Sequence, residues 1–348
     1  MNLQIGIVGA TGIVGSEFLS LLAERKIPVG TLRLFASEKS EGKLINFGDY
    51  FISVEKLEAS RLKNLDYLFF CAGAAVSEKY VPVAAANGIC CIDNSSAFRE
   101  YEDVPLVIPE INPHALGTHK NIIANPNCST IIALMAMFPL HQQFGLRRFC
   151  AATYQAVSGV GCGGIRALEQ DMDGPHTLSR EIFGEQILFN AIPKIGSFAP
   201  NGYTSEEMKM LHESRKILSL PHLRVSSTCV RIPVKRVHSI AAIAEFDKPF
   251  EIHLGEQVLR ENSSIDYFTS NEFPSPTRQE NMDNVAVGRL RVDTFLDNGA
   301  SMWIVGDQVR KGAALNAIQI MEHLEQLKIL QTSRKETMEA VPALQKSA

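Results

Sequence analysis

Ile5-Gly6-Ile7-Val8-Gly9-Ala10-Thr11-Gly12-Ile13-Val14-Gly15 is a β-rich run that passes straight into a G-x-x-G-x-x-G turn and then into apolar helical text. Glycines in such a turn let backbone N–H groups approach an anion, and the N-terminus of the following helix adds its positive end. The stretch predicts the first βαβ unit of a dinucleotide-binding sheet, with Gly9, Thr11, Gly12, Ile13 and Val14 against the cofactor. A glycine-rich turn without a ligand is the duller reading, and the spacing differs from the commoner G-x-G-x-x-G.

Further β-rich runs follow at Leu32–Ala36, Tyr67–Cys71, Cys90–Asp93 and Asn121–Ala124, with helical text between them. This alternation predicts a parallel, doubly wound sheet. From Arg148 onward the runs lengthen and become richer in Val, Thr and Ile, and Arg224–Val234 and His238–Phe246 are close enough in sequence to be expected as antiparallel neighbours. Ser205–Leu218 carries Met208, Leu211 and Leu218 among charges and suits a surface helix, while Lys311–Leu330 reads as a longer amphipathic one. The expected fold is α/β. A Rossmann-type parallel-sheet domain covers 1–127 plus 312–330, an α+β domain with a mixed or antiparallel sheet covers 128–311, and 331–348 is a polar, flexible tail.

The 348 residues suit two domains at about 150 residues each. With 45% hydrophobic and 21% charged residues the chain has the balance of a folded globular protein. A formal charge of −4 denies it the basic field that a phosphate backbone needs, so nucleic acid is not an expected partner. The longest apolar candidate, Ile131–Leu140, falls well short of the roughly 18 residues of a membrane span and contains Pro139, and Met1–Gly6 has no secretory pattern. Seven cysteines without C-x-x-C spacing predict reduced thiols in a cytoplasm and no metal site.

After the second strand, Ala36-Ser37-Glu38-Lys39-Ser40-Glu41-Gly42-Lys43 stands where an NAD enzyme often places an acid against the ribose hydroxyls. The hydroxyls of Ser37 and Ser40 and the charge of Lys39 favour NADP and its 2′-phosphate, although Glu38 and Glu41 dilute the field and a plain solvated loop is the alternative. Asn125-Pro126-Asn127-Cys128-Ser129-Thr130 places one cysteine where a strand gives way to a helix, so helix N–H groups are expected to favour the Cys128 thiolate. Cys71, Cys90, Cys91, Cys150, Cys162 and Cys229 are expected to be buried small hydrophobes.

At this hexapeptide the chain resembles the aspartate-semialdehyde dehydrogenase family, in which the cysteine of N-x-N-C-[ST]-T-type text is the acyl-accepting nucleophile. The resemblance runs roughly from Ile5 to Ile320 and takes in Asn94–Arg99, Pro109–Asn112, Tyr154–Gly159, Arg231–Val234, His238-Ser239, Asp283–Val285 and Lys311–Ala314. It implies Cys128 as nucleophile, His238 as general acid/base and Gln155 as a residue orienting the acyl group. It further implies Arg231 and Glu206 on the carboxylate and amino group of the substrate, Arg99 and Lys209 on phosphate, and Asn127 within the substrate site. Ser158, Gly159, Gly161 and Asn316 join the cofactor contacts, the 128–311 region takes catalysis and dimerisation, and the assembly is a homodimer or a dimer of dimers.

An acyl phosphate is anionic at both ends, and planar guanidinium forks suit both carboxylate and phosphate. The residues also admit plainer readings: Glu206 and Lys209 as an exposed i,i+3 pair, His238 as a satisfied strand histidine, Arg99 in a surface ion pair. The reaction implied is NADPH-dependent reductive dephosphorylation of β-aspartyl phosphate on the route to lysine, threonine and methionine. N-acetyl-glutamyl phosphate is the rival substrate, but its family usually writes glycine before the cysteine and Tyr-Pro after it. A catalytically silent paralogue is the rival from another class. One departure stands in Ser158-Gly159-Val160-Gly161-Cys162-Gly163-Gly164, where the family usually writes S-G-A-G.

Overall fold

The computed structural model describes residues 2–174, 177–269 and 271–340, with side chains as far as 328 in the last helix. The glycine stretch leaves β1 (Leu3–Val8), which lies inside a seven-stranded sheet with β2 (Val29–Ala36), β3 (Leu44–Phe47), β4 (Tyr50–Lys56), β5 (Tyr67–Phe70), β6 (Cys90–Asp93) and β7 (Ile122–Ala124). The spatial order is β3-β4-β2-β1-β5-β6-β7, and every pairing is parallel except that of the edge strand β3. Strand order reverses beside β1, and the crevice at the carboxyl ends of β1 and β5 is where such a sheet binds ligands. All four residues of β5 are buried, as suits a strand covered on both faces. The β3–β4 hairpin was not expected: Ile45, Phe47, Ile52 and Val54 face the core, but Leu44, Tyr50 and Phe51 are apolar and exposed, which blurs the alternation in the sequence.

α1 (Ile13–Glu24) follows β1, and α2 (Ala74–Ala86) follows β5. α3 (Cys128–Phe144) leads to the second sheet, formed by β8 (Leu146–Gln155), β9 (Arg224–Arg231), β10 (His238–Phe246), β11 (Ile265–Tyr267), β12 (Val285–Val292) and β13 (Gly299–Gly306) in the mixed order β11-β12-β13-β10-β8-β9. β9 and β10 run in opposite directions but do not pair, contrary to expectation. β8 lies between them, parallel to β9 and antiparallel to β10. The segment 232–237, with Pro233, crosses the end of β8, where Val157 N–H donates to the Val234 carbonyl instead of leaving room for a tight turn.

Ile131–Met137 of α3 are all buried, because one hydrophobic cluster joins them to Val8 and Phe70 of the first sheet and to Phe149, Ile240 and Ile304 of the second. The other face of the second sheet leaves Tyr154 and Ile243 exposed. Cys150 on that face and Cys162 at the start of α4 (Cys162–Asp173) are exposed too, which corrects the expectation that both are buried. β8 alternates between its faces, so apolar text alone does not decide which cysteine points inward.

α5 (Thr177–Phe183), α6 (Ser205–Leu218), α7 (Ile252–Arg260) and α8 (Pro276–Gln279) complete this half. A π-helical turn, Arg310–Ala314, returns the chain to α9 (Leu315–Ala340), whose Leu315, Ile318 and Met321 pack in one cluster with Ile5 and Ile7 of β1. α9 continues past residue 330 to Ala340, and the remainder of the expected tail, 341–348, lies outside the described residues. Charges stitch α1 to the second half: Glu17 takes Arg236 at 2.8 Å and Arg310 at 3.3 Å.

Candidate active site

Cys128 is the first residue of α3, and Asn127 is its N-cap. The Asn127 side-chain oxygen accepts from the N–H groups of Ser129 and Thr130 at 3.0 and 3.3 Å, which satisfies donors the helix cannot pair itself. Gly312, in the π-helical turn, packs against the nucleophile, and a Cβ there would stand 2.9 Å from that of Cys128. Such turns inside helices are frequent at functional sites.

α6 is not the surface helix its apolar residues suggested. Its Glu206, Glu207 and Glu213 are buried, while Met208 and Leu211 are only half-buried. Glu206 accepts from the Asn127 amide at 2.9 Å, from the Gln155 amide at 3.2 Å and from Lys209 at 2.9 Å. Burial alone would raise the Glu206 carboxyl, but the Lys209 charge and these hydrogen bonds hold it down at about 2. The i,i+3 pair expected on a solvated face therefore exists, set against the cysteine. Arg231 ends β9, where its Nη1 donates to the Ala156 carbonyl at 2.6 Å. A Cβ at Gly159 would lie 2.6 Å from that nitrogen, so the guanidinium requires a glycine.

Arg99 is buried, and each of its three nitrogens makes one bond to the protein. It donates to the Asn125 and Asn94 carbonyls and pairs with Glu213 at 3.0 Å, an acid that sequence reading missed. His238 is buried at the start of β10, and its Nδ1 accepts from the Ala156 N–H at 3.1 Å. That bond assigns the proton of the neutral ring to Nε2, which has no partner among the described residues. Burial, then the Arg231 charge, pushes His238 down to about 3. Burial, then Glu206, pushes the Cys128 thiol up to about 11, against the pull of Arg231, Arg99 and Lys209. Burial at the ligand-free site thus opposes the thiolate that the helix N-terminus was expected to favour, while Cys150 and Cys162 are exposed.

Arg99, Asn127, Cys128, Glu206, Lys209 and Arg231 converge on one cavity of about 470 Å³, with Val14, Ser158, Gly159 and Val160 on its wall. Gln155 and His238 stand one layer behind, against Glu206 and Gly159 respectively. The departure from the family text therefore falls partly on the cavity, through Val160. A second cavity of about 790 Å³ is lined by Gly9, Thr11, Gly12, Ser37 and Lys39, and Cys71 and Ala72 are on the walls of both.

The cradle fits a dinucleotide. Gly9 has φ +84°, and a Cβ there would meet the Cys71 carbonyl at 2.8 Å, while one at Gly15 would meet the Gly9 carbonyl at 2.4 Å. Ile13, Ser40, Gly161 and Asn316 are on neither wall. Asn316 is instead buried, donating to Asn125 at 2.6 Å and to the Val107 carbonyl at 2.9 Å, so it acts on the strand end before the nucleophile. Sequence reading also missed Lys56 and Tyr80 on the cofactor wall, and Gln308 on the substrate wall, where its amide donates to Ser158 at 2.5 Å.

A glycine cradle sharing a wall with a cation-lined cysteine pocket defines a two-domain, nucleotide-dependent dehydrogenase. The family model described as "Semialdehyde dehydrogenase, NAD binding domain" matches residues 4–119, and "Semialdehyde dehydrogenase, dimerisation domain" matches 137–311. The aspartate-semialdehyde dehydrogenase of Aquifex aeolicus is 44% identical, with 93% of this chain and 98% of that protein aligned. Aspartate-semialdehyde dehydrogenase II of Vibrio cholerae, solved in complex with ASA, superposes with a TM-score of 0.89 at 40% identity, covering 94% of this chain and 99% of that one. The Candida albicans enzyme, solved with NADP, has a TM-score of 0.73 at 25% identity over 93% and 99%. The chain belongs to the aspartate-semialdehyde dehydrogenase family.

Proposed function

We propose that this protein reduces β-aspartyl phosphate to aspartate β-semialdehyde with NADPH, supplying lysine, threonine and methionine synthesis in the cytoplasm. The observation that carries the reading is the convergence of Cys128 with Arg99 and Lys209 and with Arg231 and Glu206 in one cavity abutting the glycine cradle. Two cationic points suit the two anionic ends of an acyl phosphate, and ionised Glu206 suits the substrate ammonium. No helix among the described residues is long and apolar enough to cross a membrane.

The Cys128 sulfur attacks the acyl carbon as the bond to phosphate oxygen breaks, and phosphate leaves with the electron pair. The thiol proton is lost as the S–C bond forms and leaves on the departing phosphate as hydrogen phosphate. Arg231 fixes the carboxylate, and Gln155, held between Ser129 and Glu206, orients the acyl group. NADPH, when bound, supplies the hydride that reduces the thioester. His238, with its proton on Nε2, is suited to donate a hydrogen bond to the developing oxyanion; as the C=O of the aldehyde re-forms the C–S bond breaks, and the Cys128 sulfur leaves with the electron pair and takes up a proton from solvent.

Residues 1–127 plus 312–330 form the cofactor domain in this reading, and 128–311 carry catalysis and dimer contact. The open face of the second sheet, with Tyr154 and Ile243 exposed, is the surface for a second copy, giving a homodimer or a dimer of dimers. The test is an assay of phosphate-dependent NADP reduction with aspartate semialdehyde, run against N-acetyl-glutamate semialdehyde and against NAD. Activity with aspartate semialdehyde and NADP is expected. Turnover of the N-acetylated substrate alone would transfer the chain to the rival reaction, and no turnover of either would favour the silent paralogue.

A further inference from the structure

α6 carries Glu206, Lys209, Glu213 and Lys216, and the spacings of three, four and three place them along one stripe of the helix. The first pair faces the nucleophile. The second half of the stripe meets the segment that delivers Arg99: Lys216 donates to the Arg99, Tyr101 and Val104 carbonyls at 2.9, 2.6 and 2.8 Å.

Glu213 between them is buried, with a side-chain exposure of 3%, and divides its carboxylate between two donors. One oxygen accepts from Arg99 Nη1 at 3.0 Å. The other accepts at 2.6 Å from the backbone N–H of Asn127, the N-cap of the helix that begins with Cys128. An N-cap N–H lies outside the helix and has no intrahelical acceptor, so a carboxylate at this point fixes where the helix starts. Arg99 is on the cavity wall while three of its nitrogens are held from behind by Glu213, Asn125 and Asn94.

We propose that Glu213 is a positioning residue that locks the guanidinium of Arg99 to the cap of the Cys128 helix, and so sets the distance between the phosphate and the attacking sulfur. The inference rests on the reading that Arg99 binds phosphate. Glu213 touches neither reacting atom, and its effect passes through Arg99 and Asn127. A single amide cannot replace it, because glutamine accepts on one oxygen only and turns an NH2 toward the other donor.

The test uses full-length Arg99→Ala, Glu213→Gln and Glu213→Asp in the semialdehyde-oxidising direction, with thermal melts and NADP affinity measured on each. Glu213→Gln is expected to raise the KM for inorganic phosphate by about tenfold or more, the loss of a charge-assisted bond, while the KM for semialdehyde and the affinity for NADP stay within about twofold. Glu213→Asp, which keeps the charge on a shorter stem, should recover part of that loss, and adding Glu213→Gln to Arg99→Ala should raise the phosphate KM no further. If Arg99→Ala leaves the phosphate KM unmoved, the assignment of phosphate to Arg99 fails. If Arg99→Ala moves it and a folded Glu213→Gln does not, the positioning role fails alone. A parallel rise in all constants, or failure of both Glu213 variants to fold, would make Glu213 a structural residue and overturn the proposal.

Discussion

The two cavities on either side of Cys71 are built by opposite means. The cofactor cradle is backbone: Gly9, Gly12 and Gly15 lie within seven residues of one another, and their contribution is the absence of side chains. The substrate cavity depends on charged and reactive side chains, with Cys128, Glu206 and Arg231 drawn from α3, α6 and β9 and Arg99 from the segment after β6. A site made of backbone is spoiled by added atoms, whereas a site made of charges is spoiled by lost ones. Substitutions in the first should therefore act on cofactor affinity and stability, and those in the second on chemistry.

The largest effect is expected for Cys128→Ser, with activity falling by about a thousandfold or more while melting temperature and NADP affinity hold, since an alcohol ionises far less readily than a thiol. Residual activity of a few per cent in the purified variant would end the covalent mechanism. In the wild-type ligand-free enzyme, the raised thiol makes the thiolate fraction climb about tenfold per pH unit until the pH nears the thiol's own value. The rate of iodoacetamide labelling at Cys128, followed by peptide mapping, should accordingly still be rising at pH 10, and a plateau near neutrality would show that the thiol is activated after all.

Arg231→Lys comes next. A lysine keeps the charge but not the planar fork, and a drop in kcat/KM of about a hundredfold is expected, with the NADP constant unmoved. Gly9→Ala should do the reverse. Its methyl group meets the Cys71 carbonyl in a left-handed conformation, so a loss of about 1–3 kcal/mol in denaturant unfolding and about tenfold in NADP affinity is expected, with kcat at saturating cofactor nearly intact. Were Gly9→Ala to lower kcat and spare NADP binding, the division between the two cavities would not hold. Smallest is Lys39→Ala, expected to weaken NADP by up to about tenfold and NAD hardly at all, because only NADP presents a 2′-phosphate. Titration of both cofactors decides it, and equal losses would shift attention to Lys56 on the same wall.

The same contrast explains what could be read in the sequence. The cradle was legible because strand, turn and helix are contiguous, and Cys128 because its helix starts beside it. The charges around it were legible only through family resemblance, since Glu206 stands 79 residues from the Asn127 it holds and Glu213 stands 114 from Arg99. Glu213 and Gln308 carry no motif of their own and were missed. The false pairing of β9 with β10 has a related cause: short sequence separation suggests a hairpin, but whether another strand comes between depends on β8, more than seventy residues earlier. Ionisation was the least legible property, because a helix N-terminus can be read from text while the burial that overrides it cannot.

Lys311 sits in the π-helical turn with its ammonium enclosed by Glu110 at 2.6 Å, Gln319 at 2.7 Å and Asn316 at 3.0 Å, and its side chain is 2% exposed. Burial lowers its affinity for a proton, yet an acylating reagent has no path to the nitrogen while α9 stays docked. Among the described lysines it is a built-in clock: its labelling by an amine-reactive ester would run no faster than the seam between the final helix and Glu110 comes apart, and would time that opening without any engineered probe.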